Sequence, residues 1–148
     1  MSPPRGSLLF HVPARGLSRL ELRRFARRLE SDVADGRSFN CMIAGDAELR
    51  RLNREFRKQD YPTDVLSFPS GDTNGFAGEI AISFDRACAQ AAERGHTVEQ
   101  ETRVLMLHGV LHLIGFDHEA DDGRMDRAER RWRKSLGLPA GLIERTLP

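Results

Sequence analysis

Apolar residues recur along this chain at two periods, and the switches between them mark out its elements. Residues 7–12 (SLLFHV) make a short β-rich run ended by Pro13, which predicts a strand. Ser18 then stands where an N-cap belongs, with Glu21 three residues on and Leu17 and Leu22 at the spacing of a hydrophobic staple, so a helix opens there. Residues 37–44 (RSFNCMIA) predict a second strand, and Asp46 the cap of a helix with Leu49, Leu52 and Phe56 on one face. The segment KQDYPTD breaks that helix. A third strand is predicted over 64–68 (DVLSF), closed by Pro69. The loop GDTNGFAG leads into a fourth, EIAIS, whose alternation buries Ile80 and Ile82, and strands three and four are spaced to pair as a hairpin.

Asp85 to Arg94 reads as a helix stopped by Gly95, after which Thr97 and Gln100 form a capping box for the next one. From Val104 to Ile114 that helix is apolar nearly all round, so it is expected to be buried. A last amphipathic helix, from about Asp121 to Leu136, meets its stop signals at Gly137 and Pro139. Together these elements predict a single α+β domain over residues 1–148, with a small four-stranded sheet packed against about five helices.

Size and composition agree with one soluble domain: 148 residues and 16.7 kDa, with 39% apolar and 30% charged residues. No apolar run approaches the ~20 residues that span a bilayer, and MSPPRGSLLFHVPARG lacks a signal peptide's apolar core, so a cytoplasmic protein without membrane contact is expected. Cys41 and Cys88 form no CxxC, which predicts reduced, buried thiols. The net charge of +1 does not by itself announce a nucleic-acid partner. Its placement is uneven, however: Arg15, Arg19, Arg23 and Arg27 recur every fourth residue, with Arg24 and Arg28 beside them, as a stripe that is either a solvated face or an RNA contact.

The chemistry concentrates in HGVLHLIGFDH, residues 108–118. Positions four apart on a helix differ by about 40° and rise ~6 Å, so His108 and His112 project from one face close enough to share an ion. Gly115 can turn the chain in a left-handed conformation and bring back His118 as a third ligand. In a chain with five His and 13 Gly, HxxxHxxGxxH arises by accident about once in two thousand sequences, which favours metal binding over a set of core histidines. Three neutral imidazoles leave a tetrahedral zinc one open position and acidify a bound water toward a pKa of about 7, so the site can make hydroxide at neutral pH. His11 and His96 read as an ordinary strand residue and a surface loop residue.

Zinc peptidases carry a glutamate after their first histidine, and here that position is Gly109. Without that carboxylate an amine leaves poorly, whereas a phosphodiester asks more for positive charge around its anionic transition state. Arg57, in LNREFRKQDYPTDVLSFP where a helix gives way to a loop, is a candidate for that cation, although spacing alone favours an ordinary exposed arginine.

Taken together, LNREFRKQDYPTDVLSFP, GEIAIS and HGVLHLIGFDH resemble the YbeY family of bacterial endoribonucleases, the rRNA maturation factors, over about residues 46–137. Two small departures are Lys58 and Gln59 ahead of Asp60, where a lysine often directly precedes the aspartate, and Ala77 in place of a common leucine. The resemblance implies a zincin-like metal helix with one zinc held by His108, His112 and His118, and a functional arginine at Arg57. It also implies a single-strand-specific endoribonuclease acting in 16S rRNA 3′-end maturation and late ribosome quality control, with single-stranded rRNA and the ribosome or small-subunit precursor as partners. The expected reaction is attack of metal-bound hydroxide on the phosphodiester, Arg57 stabilising the charge that builds. A general base could be Asp64, Asp117, Glu119 or none of them. A zinc-containing ribosome-assembly factor that does not cut RNA is the alternative, and a metallopeptidase is the reading that Gly109 disfavours.

Overall fold

The computed structural model describes residues 3–72, 74–117 and 121–146. Strands β1 (Leu8–Phe10), β2 (Ser38–Ala44), β3 (Val65–Pro69) and β4 (Phe76–Ser83) form one sheet in the order β1-β2-β4-β3. The first three in that order run parallel, and β3 pairs antiparallel with β4 as the expected hairpin, Leu66 opposite Ala81. Helix α1 (Arg19–Asp32) connects β1 to β2, and α2 (Asp46–Arg57) connects β2 to the hairpin. Then come α3 (Phe84–Arg94), α4 (Val98–Leu113), α5 (Arg124–Ser135) and a short α6 (Leu142–Thr146).

Strand alternation divides the core. Cys41, Ile43, Ile80 and Ile82 face one way, into a cluster with Leu22 and Leu29 of α1 and Leu105 and Leu111 of α4. Ala44, Leu66 and Ala81 face the other way and pack with Leu49 of α2. Helix α4 is buried on nearly every side, as its composition predicts, and contacts β3, β4, α1, α3 and α5. Its Thr97/Gln100 capping box is formed on both sides.

Several expectations need correction. The Ser18 hydroxyl does accept from the Glu21 N–H, but the Glu21 carboxylate turns to Arg24, and the Ser18 N–H is taken by Glu99 at the start of α4. Asp46 is the first residue of α2 rather than its cap. Its N–H donates to Asp85 at 2.7 Å, while its own carboxylate accepts from Ser83 and Arg86. Phe56 does not join Leu49 in the core; it is 59% exposed and meets the Phe68 ring edge-on at 5.5 Å, and Asn53 takes the buried position instead. β4 begins three residues before EIAIS, at Phe76. Cys41 is buried, its thiol pushed by burial up to about 12, but Cys88 lies exposed on α3. His96 is no free loop residue: its side chain packs against the buried Glu101, 2.6 Å away. Helix α6 was not foreseen. In the arginine stripe Arg24, Arg27 and Arg28 pair with Glu21, Glu30 and Asp32 on their own helix, and Arg19 stacks over Phe10.

Candidate functional site

Helix α4 carries His108 and His112 one turn apart on the face that looks toward the loop after α2. Their Nε2 atoms approach to 3.1 Å, with the rings 4.8 Å apart and steeply inclined. Two nitrogens bound at ~2.0–2.1 Å to one tetrahedral zinc stand about 3.3 Å apart, so this pair already has nearly the spacing of a zinc ligand edge. The helix ends as anticipated. Gly115 takes φ +107°, the Gly115 N–H donates to His112 O and the Phe116 N–H to Leu111 O, which is a Schellman closure that sends the chain off sharply toward Asp117. The third expected ligand, His118, and the candidate base Glu119 lie outside the described residues. Among the described residues no three His, Cys, Asp or Glu side chains converge on a point that could hold a metal. The donor chemistry and spacing of His108 and His112 fit zinc.

The two histidines open onto a cleft of about 540 Å³ also lined by Arg57, Asp64, Ser67 and Asp117. Arg57 reaches it as the last residue of α2. The chain is held there by Asn53, whose buried side chain donates to Tyr61 O at 2.9 Å, and by an Arg50–Asp60 ion pair that keeps the Asp60 carboxyl below its usual range. Of the four arginines on α2, Arg50, Arg51 and Arg54 face carboxylates of Asp60, Glu48 and Glu55. Arg57 has no carboxylate partner among the described residues. The sequence could not separate these four; their partners do.

Gly109 gains a second meaning. A Cβ there would come within 3.0 Å of Ile80 and 3.2 Å of Ser67 Oγ, and that hydroxyl donates to Gly109 O at 3.1 Å. The residue lets α4 lie close against the β3–β4 hairpin, so it does more than leave the peptidase's carboxylate out.

A buried glutamate was missed. Glu129 of α5 is 1% exposed, with Oε2 2.7 Å from His108 Nδ1. Its signal was in the sequence: Met125, Glu129, Trp132 and Leu136 share the apolar stripe of α5, and an acid within such a stripe needs a buried partner.

Comparison with known proteins bears on the same segments. The family described as Endoribonuclease YbeY matches residues 19–137. Proteins named Endoribonuclease YbeY from Solibacter usitatus and Koribacter versatilis are 62% and 47% identical to the chain. The first match covers 98% of both chains, and the second covers 88% of this chain and 86% of the relative. The solution structure of a Thermotoga maritima protein superposes with a TM-score of 0.61 at 30% identity, covering 88% of this chain and 89% of the other.

Proposed function

The chain belongs to the endoribonuclease YbeY family, and from that premise we propose that it hydrolyses single-stranded RNA in the cleft between the C-terminal ends of α2 and α4. One zinc would be held there by His108, His112 and His118. The observation that carries this reading is the 3.1 Å approach of two imidazole nitrogens in a cleft lined by an arginine without a carboxylate partner among the described residues. When bound, zinc supplies a Lewis acid that lowers the pKa of water toward about 7. Arg57 offers a planar fork to the non-bridging oxygens of the phosphate, and its charge gains value as negative charge builds on them. Asp64 and Asp117 line the cleft as its candidate proton acceptors. The position of Gly109 provides no acid to protonate a leaving amine, which favours a ribose oxygen as leaving group over a peptide nitrogen.

The cleft has the scale of a pocket for one small ligand, and the preference for single strands is the one that the YbeY resemblance implies. Within this reading the chain acts in the cytoplasm, in 16S rRNA 3′-end maturation and late ribosome quality control, the roles that the YbeY resemblance implies. No helix among the described residues is long and apolar enough to cross a membrane.

Zinc content tests the metal half of this reading. The purified protein should carry about one zinc per chain, and His112→Ala should lose it, because two imidazoles and solvent hold zinc far more weakly than three. Elemental analysis showing full zinc in the single alanine variants of His108, His112 and His118 would remove the site.

A further inference from the structure

Glu129 has both carboxylate oxygens committed. Oε2 lies 2.7 Å from His108 Nδ1, and Oε1 accepts from the Ile143 N–H at 2.9 Å, at the start of α6. Gly141, in the segment joining α5 to α6, leaves just enough room: a Cβ on it would overlap the Glu129 side chain from Cγ to Oε1. The carboxylate is therefore fixed on one side by a histidine of α4 and on the other by backbone that follows α5.

We propose that Glu129 is a positioning residue for the zinc site, holding the proton of His108 on Nδ1 so that Nε2 faces the cleft as a lone pair, with the Gly141–Ile143 backbone as its backstop. This rests on the zinc reading above. A neutral imidazole chooses between two tautomers, and an acceptor buried against Nδ1 selects the one with Nε2 unprotonated. The same contact fixes the ring plane and makes Nε2 a better donor to a metal. A carboxylate is needed because both donors point at it: glutamine has one acceptor oxygen and one NH2, so if the oxygen keeps the Ile143 N–H the NH2 turns to His108 and favours the tautomer protonated on Nε2. The competing role is a purely structural tie between α4 and α6, which would leave the tautomer and the zinc affinity unaffected in any variant that folds.

The experiment uses the full chain with 15N-labelled histidine as wild type, Glu129→Gln and Gly141→Ala. Gly141→Ala displaces the carboxylate by crowding it, with Glu129 and the expected ligands left unsubstituted. Imidazole 15N shifts of the zinc-free protein report the His108 tautomer, and competition with a chromophoric chelator reports zinc affinity. Wild-type His108 should carry its proton on Nδ1 before zinc is added. Both variants should bind zinc about 10- to 100-fold more weakly, and Glu129→Gln should lose the Nδ1-protonated tautomer. A zinc-free wild type with its proton on His108 Nε2 overturns the proposal, and that readout needs no variant to fold. Wild-type zinc affinity in both variants overturns it too while leaving the zinc reading standing; a wild type that binds no zinc overturns both.

Discussion

A side chain at Gly109 has nowhere to go, because Ile80 beneath it is 2% exposed and Ser67 is engaged with the Gly109 carbonyl. Alanine gains up to about 1 kcal/mol of helix propensity there but overpacks the α4–sheet contact, which typically costs ~1–3 kcal/mol. Gly109→Ala should therefore lower stability in denaturant titrations, and Gly109→Glu should lower it further without producing peptide hydrolysis. Unchanged midpoints would mean that α4 can lift off the hairpin at little cost. At this scale the histidines were legible because their chemistry is rare and their spacing local. Arg57 stood out only through the family resemblance and Glu129 only through its place in an apolar stripe, because what distinguishes Arg57 from Arg54, or Glu129 from Asp126, the other acid of α5, is a partner or a missing one.

Whether an element could be read followed the distance to the groups that satisfy its ends. The caps at Thr97 and Ser83 are closed within three residues, whereas the first N–H of α2 is met by Asp85, 39 positions away. Helix α6 has five residues and no local nucleus, and it is held by Glu129 at its front and by Glu101 through Arg145. At the other end of α2 the chain turns through Lys58 at φ 60°, ψ 28°, a left-handed conformation that disfavours a side chain. Lys58→Gly should raise stability by about 0.5–1 kcal/mol with zinc content unchanged. A loss of stability on thermal unfolding would show that the Lys58 side chain contributes more than its backbone strain costs.

The whole molecule brings two neighbouring segments, the end of α2 and strand β3, to one cleft with the distant end of α4. Periodicity predicted the α+β class and the hairpin, but the strand order depends on long-range pairing that no local pattern encodes. The far end of α4 is fastened separately. There burial pushes the Glu101 carboxyl up, but hydrogen bonds from Arg145, His96 and Gln90 outweigh it and hold it below its usual range. Arg145→Ala strands a buried charge and should cost on the order of 3 kcal/mol near neutral pH. A carboxyl held low stabilises the fold above its unfolded pKa and loses that contribution as pH falls through the folded value. The gap between wild type and Arg145→Ala should thus shrink in acid; a constant gap across pH would assign Arg145 to packing alone. The central claim concerns the cleft, and one RNA tests it: an end-labelled strand with a single-stranded segment beside a stable stem, given to wild type and to Arg57→Ala at equal zinc content. Cuts should fall only in the single-stranded segment, about 10²-fold more slowly in Arg57→Ala. An uncut strand with zinc-loaded wild type, or equal rates in the two proteins, would contradict the account.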